Sequence, residues 1–176
     1  GARAATRHRI AAGHTKIAYL GGPQGLFSVV ERHEGFRLAM AEAGLAIRPE
    51  YVSLGGFDPG LARASVLKFL ALPDPPTAIF ASSDYLAIGA VMGLRDAKIS
   101  VPAEMSLIGF DDMPFGALLT PPLTAVRQPV EQLGRAGFQL LLQLLKGQTP
   151  PAVTRLPVEL IERQSVGAPR TEGLSK

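Results

Sequence analysis

The strongest constraint on this chain is a series of short, nearly continuous apolar runs, each parted from the next by one helix-length stretch. The runs are Lys16-Ile17-Ala18-Tyr19-Leu20, Tyr51-Val52-Ser53-Leu54, Thr77-Ala78-Ile79-Phe80-Ala81, Met105-Ser106-Leu107-Ile108-Gly109-Phe110 and Leu123-Thr124-Ala125-Val126. A strand that lacks polar alternation is buried on both faces. Single helices between such strands make right-handed βαβ units, and hence a parallel sheet covered by helices on both sides. The expected fold is α/β, a three-layer parallel sheet. In such sheets ligands bind beyond the carboxyl ends of the strands, so the residues that follow each run are the informative ones.

Local signals punctuate the helices. Residues 2–12 read as a helix stopped by Gly13. Ser28-Val29-Val30-Glu31 fits a capping box, with Val29, Phe36 and Met40 on one apolar face and Gly44 at the end. Asp58-Pro59 places an N-cap before a proline at the first helical position. A helix is expected over 84–96, and a long amphipathic one over 129–146 with Val130, Leu133, Phe138, Leu141, Leu142 and Leu145 apolar. Val153–Leu160 reads as a last strand, with a polar tail from Gln164.

Composition narrows the classes. A chain of 176 residues suits one domain with its own core. The absence of cysteine excludes disulfides, thiolate zinc sites and a thiol nucleophile, and fits a cytoplasmic location. No apolar stretch approaches the ~18 residues of a membrane span. Gly1-Ala2-Arg3 resembles neither a secretory signal nor an initiator sequence, so a fragment of a longer protein is expected. Arg3, Arg7, Arg9 and Lys16 cluster without an acid; a solvated helix face is preferred to a nucleic-acid arm, because the net charge is only +3.

At the strand ends stand Gly21-Gly22-Pro23, Gly55-Gly56-Phe57, Ser82-Ser83-Asp84 and Asp111-Asp112. None forms a phosphate loop, a G-x-G-x-x-G turn or a nucleophile elbow. His8, His14 and His33 have neither metal-ligand spacing nor a strand-end position. Asp111-Asp112 has two uses, a Mg²⁺ site or a turn, although neighbours leaving a strand point apart and only one carboxylate can face the crevice. Arg32 either pairs with Glu31 or Glu34 on the surface or projects a planar fork into the crevice. Phe57 either closes the core or offers a flat face to a ring. Ser83 either caps its helix or donates a hydroxyl. Together they supply donor, stacking face, hydroxyl and acceptor at one sheet edge, as a polyhydroxylated ligand requires.

An ordered set of motifs completes the reading. It comprises Gly13-His14-Thr15-Lys16-Ile17-Ala18, Arg32-His33-Glu34-Gly35-Phe36, Pro76-Thr77-Ala78-Ile79-Phe80-Ala81-Ser82-Ser83-Asp84 and Ala87-Ile88-Gly89-Ala90. Val101-Pro102, Ser106-Leu107-Ile108-Gly109-Phe110-Asp111-Asp112, Pro121-Pro122-Leu123-Thr124, Gln128-Pro129 and Glu162-Arg163-Gln164-Ser165 follow. Over about residues 1–166 this resembles the C-terminal part of the LacI/GalR repressors. The resemblance implies a periplasmic-binding-protein-like fold of type I, mainly its C-terminal lobe. Residues 1–14 and 129–149 would belong to or lead towards the N-terminal lobe, 15–128 would form the C-terminal lobe, 150–165 a return strand and 166–176 a flexible tail.

The same resemblance implies a ligand-binding role for Arg32, Asp111, Phe57, Ser28 and Gln128. Ser83 stands where the family often has Asn, so that contact is altered. Lys98 stands where many members have a helix-ending Gly, and Thr124-Ala125 replaces Thr-Thr. Met113, Phe115 and Leu118, in an apolar loop, resemble a dimer contact. The expected function is the effector-sensing domain of a sugar-responsive transcriptional repressor, a homodimer that meets operator DNA only through a headpiece upstream. No enzyme activity, cofactor, metal or membrane partner is expected. The rival readings are an exported sugar-binding receptor and a Mg-dependent enzyme using Asp111 and Asp112.

Overall fold

The computed structural model describes residues 1–171. Its elements are α1 (Ala2–Ala11), β1 (Ile17–Gly21), α2 (Phe27–Glu42), β2 (Val52–Leu54), α3 (Pro59–Leu70), β3 (Ala78–Ala81), α4 (Asp84–Asp96), β4 (Ser106–Asp111), β5 (Thr124–Arg127), α5 (Val130–Leu145) and β6 (Glu159–Ile161). They form one six-stranded sheet in the order β2-β1-β3-β4-β5-β6. The first five strands pair in parallel, as their apolar character predicts. β6 departs from that rule and runs antiparallel to β5, with Ala125 opposite Ile161 and Arg127 opposite Glu159. The strand expected over 153–160 is also shorter, since only its end meets a partner edge.

Alternation along each strand divides the core into two layers. Ile17 and Tyr19 of β1, Phe80 of β3 and Ile108 of β4 pack with Phe36 and Met40 of α2 and with Ala2 and Ala5 of α1. Ala18, Leu20, Ile79 and Leu107 point the other way, onto Ala62, Val66 and Phe69 of α3 and Leu86, Ala90 and Leu94 of α4. The three-layer reading is thus realised in successive residues of the same strands.

Several helix boundaries follow the sequence signals. Asp58 caps α3, its side chain accepting from the Leu61 amide at 2.8 Å, with Pro59 in the first position. Gly13 and Gly44 take the left-handed conformation at the ends of α1 and α2, with φ of 98° and 67°. Lys98, in the glycine position after α4, adopts φ 58° itself. The capping box does not form. α2 starts at Phe27 from an extended Leu26, without a side-chain cap. Ser28 therefore lies inside the first turn, and Glu31 turns outward to Arg155 at 2.7 Å.

The packing bears on three further expectations. Residues 1–14, expected to belong to an adjoining lobe, pack within this one: Ala5 and Arg9 are fully buried, and the Arg9 guanidinium lies 5.1 Å from the Phe80 ring centre. Of the basic cluster only Arg9 leaves the solvated face: Arg3 and Arg7 stay exposed and pair with Glu42 of α2, and Lys16 pairs with Asp74. The described part of the tail is fastened as well. Gly167 lies within hydrogen-bond distance of the His14 ring, and Arg170 donates to the Glu104 carbonyl at 2.7 Å. Residues 172–176 of that expected flexible tail lie outside the described residues. α5, by contrast, has no buried residue, and Val130, Phe138 and Leu145 are exposed along it.

Gly89 shows how close the layers come. A Cβ there would lie 2.2 Å from the Pro59 carbonyl oxygen and 2.6 Å from the Ala62 Cβ, so α3 touches α4 backbone to backbone. Gly89→Ala is expected to lower unfolding stability by about 1–3 kcal/mol in urea titration, although alanine is the better helix former. Gly134→Ala in α5, where nothing lies within 4 Å, serves as the control and should not destabilise. Equal stability of the two variants would show that α3 and α4 separate without cost.

Candidate functional site

The carboxyl ends of β1, β3, β4 and β5 open on one side of the sheet. Gly22 follows β1, and a Cβ there would meet the Phe57 ring at 2.5 Å, so the glycine leaves room for the ring to lie against the chain. Ser28 and Arg32 stand four residues apart on α2 and share a face. Ser83 caps α4, accepting from the Leu86 amide at 3.3 Å. Asp111 ends β4, and Gln128 follows β5. Ser28, Arg32, Phe57, Ser83 and Asp111, together with Tyr85, line a cleft of about 400 Å³. Ser83 thus serves its helix and lines the cleft at once.

Arg32 is held rather than free. Its guanidinium lies 3.9 Å from the centre of the Phe110 ring. One amino group donates to the Ser82 carbonyl at the end of β3, the other to Asp111 Oδ1 at 3.2 Å. The acids expected to draw it to the surface are engaged elsewhere, Glu31 with Arg155 and Glu34 with Arg37. Gln128 Nε2 donates to the same Asp111 oxygen at 2.6 Å. Burial pushes the Asp111 carboxyl above the usual range, against the pull of Arg32, Gln128 and the Asp84 backbone. The result is a pre-oriented cation and carboxylate on the floor of the cleft, flanked by two hydroxyls and two aromatic rings.

Asp112 points the other way, as strand geometry requires. Its Oδ1 accepts from Arg163 at 2.6 Å and its Oδ2 from Arg127 at 2.7 Å. Although burial pushes it upward, these two arginines hold its carboxyl below the usual range. The two acids therefore do not converge, and among the described residues no three metal-ligating side chains gather. The positive φ values of Asp111 and Asp112, 112° and 57°, are conformations that cost about 1–3 kcal/mol each in residues other than glycine.

Three residues escaped the sequence reading. Tyr85, in the first turn of α4, lines the cleft, and only its place two residues after Ser83 could have signalled it. Phe110 reads as core but supports Arg32. Asp84, in the first turn of α4, is fully buried. His14 sits at the opposite end of the sheet, joined to Thr77 Oγ1 at 2.8 Å and Ser106 Oγ at 2.9 Å, and so has a structural role. Of the apolar loop, Leu118 is 83% and Met113 38% exposed, while the Phe115 ring lies 6.5 Å from that of Tyr85.

Comparison with known proteins agrees with this fold. Residues 6–166 match the family described as periplasmic binding protein-like domain. The chain is 34% identical over 163 residues to the HTH-type transcriptional repressor PurR of Aliivibrio salmonicida, covering 92% of this chain and 49% of that protein. It is 35% identical to a regulatory protein of the LacI family from Chloroflexus aggregans, with a TM-score of 0.87 over 95% of this chain and 60% of the other. A transcriptional regulator CelR solved in complex with cellobiose superposes with a TM-score of 0.88 at 35% identity, over 94% of this chain and 51% of that one. The chain belongs to the family of periplasmic binding protein-like domains. It spans about half the length of the curated relatives it matches.

Beneath the cleft, Asp84 carries a test of the electrostatics. Oδ2 accepts from the Met113 amide at 2.6 Å, while Oδ1 is buried with no hydrogen-bond partner among the described residues. Burial pushes this carboxyl up to about 7, with Asp111 and Asp112 adding to the rise. A carboxyl raised in the folded state favours folding when protonated, so that stability is complete below about pH 4 and lost as pH rises through 7. Asp84→Asn should therefore be more stable than the parent by a few kcal/mol at pH 8, with the gap closing towards pH 4. Thermal denaturation across that range measures it, and a constant gap would show that Asp84 ionises normally.

Proposed function

We propose that this domain senses a small neutral effector, a sugar or sugar derivative, for a transcriptional repressor, and that the cleft of Arg32, Asp111, Phe57, Ser28, Ser83 and Gln128 holds it. The single observation that carries this reading is the Arg32–Asp111–Gln128 network. It fixes fork-shaped donors and a carboxylate acceptor beside an aromatic ring, a combination that matches vicinal hydroxyls on an apolar ring face. The CelR–cellobiose complex lends support to a saccharide.

In this reading residues 15–128, with α1 packed on them, form one lobe and the segment 129–149, which carries α5, crosses towards a second lobe that covers the apolar face of α5, with 150–165 returning. Effector binding biases the closure of the lobes, a population shift driven by unequal affinity for two states. The intact protein is a cytoplasmic homodimer with Met113, Phe115 and Leu118 at the subunit contact, and it reaches operator DNA through a headpiece outside this chain. The name of the PurR relative, a helix-turn-helix repressor, supports that last step. No helix among the described residues is long and apolar enough to cross a membrane.

Calorimetry of the full-length protein against sugars, sugar phosphates and nucleobases tests the proposal. Arg32→Ala is expected to weaken binding of the active compound by about 30-fold or more, since it removes charge-assisted hydrogen bonds and leaves Asp111 buried without its cation. Unchanged affinity in Arg32→Ala would remove the cleft as the effector site. Binding confined to nucleobases would keep the site and replace the ligand class.

A further inference from the structure

Asp111 and Asp112 leave β4 in consecutive left-handed conformations, which residues other than glycine avoid unless the surroundings impose them. The contacts of the Asp111 side chain explain where its carboxylate lies but not what holds the backbone in that turn. The hold is on Asp112. Its side chain is only 3% exposed and both oxygens are engaged, Oδ1 by Arg163 and Oδ2 by Arg127. Of the two arginines, Arg163 is the more firmly seated. The same amino group donates to the Leu123 carbonyl at 2.6 Å, and the Arg163 amide donates to Thr124 Oγ1 at 2.9 Å. Its side chain is 17% exposed, against 48% for Arg127, so water competes less for its bonds.

We propose that Arg163, acting through Asp112, is the positioning residue for the cleft-facing Asp111 carboxylate. The assignment rests on the reading of the cleft as an effector site. It makes Arg163, at the end of the segment that returns from α5 through β6, part of that site although it does not line the cleft itself. Seating β6 on β5 brings Arg163 to Asp112; Asp112 fixes the turn; the turn sets Asp111 between Arg32 and Gln128. A displacement of the return segment then reaches the effector carboxylate directly.

The test reads Asp111 itself and needs no ligand. The full-length protein is labelled with ¹³C at the aspartate carboxyls, Asp111 is assigned with Asp111→Asn, and its titration is followed in the parent, Arg163→Gln and Arg163→Lys. Loss of a nearby positive charge alone would raise the Asp111 midpoint. Release of the turn into water lowers it, and the proposal expects a fall towards the ordinary carboxylate value in Arg163→Gln. Arg163→Lys, which keeps the charge but not the planar fork, should recover only part of the change. A midpoint that stays put or rises in Arg163→Gln would overturn the proposal and leave Arg163 as a fastening of β6. Should Arg163→Gln fail to fold, Arg163→Lys is read alone: the charge is kept, so a fall of the midpoint reports release of the turn, and an unchanged or higher midpoint overturns the proposal. Failure of every compound to bind the parent in calorimetry would sink the effector reading without moving this midpoint, so the two failures are distinguishable.

Discussion

Burial of both faces of the sheet is the constraint on which the rest of this structure depends. With helices on either side, the side chains of β1, β3 and β4 are buried along most of their length. Polar and charged groups are displaced to the strand ends, where the backbone still offers unpaired donors and acceptors and water still reaches. The cleft and the His14 cluster at the other end have the same origin. One end gathers Arg32, Asp111 and Gln128 in an open hollow; the other closes His14 among Thr77, Ser106 and Gly167.

At the open end, charge is balanced in two separate compartments. Arg32 faces Asp111 across the cleft floor, and Asp112 faces Arg127 and Arg163 behind it. A single backbone step separates the pairs, so two adjacent carboxylates avoid the mutual repulsion that would otherwise keep one of them protonated. Asp84 lacks any such partner and carries its burial alone. An acid in that position is poorly explained by stability, since its ionised form opposes folding. Its hydrogen bond to the Met113 amide ties the start of the apolar loop to α4.

Much of this was legible in the sequence, for reasons that are local. The continuous apolar runs fixed the strands because both faces are buried, and Asp58-Pro59 and Gly44 marked helix ends through backbone requirements that no tertiary contact overrides. Arg32, Asp111, Phe57 and Ser83 could be singled out because strand ends are where such sheets work. What escaped depends on distant partners. Ser28 and Glu31 satisfy the capping-box pattern, yet Leu26 starts the helix two residues early and Arg155 captures Glu31. The antiparallel course of β6 is a matter of which edge lies free, and the burial of Arg9 depends on where α1 docks. Neither leaves a mark in the neighbouring residues. The resemblance to LacI/GalR regulators supplied roles for single side chains that spacing could not.

The distribution of tyrosines carries one more consequence. The chain has three tyrosines and no tryptophan. Tyr19 and Tyr51 are almost wholly shielded, and Tyr85, half exposed, stands at the wall of the cleft. Within this domain the ultraviolet emission that responds to added quenchers comes from one ring, beside the place where Arg32 and Asp111 meet. The protein carries its own optical reporter there, and occupancy of that hollow can be followed without attaching a dye.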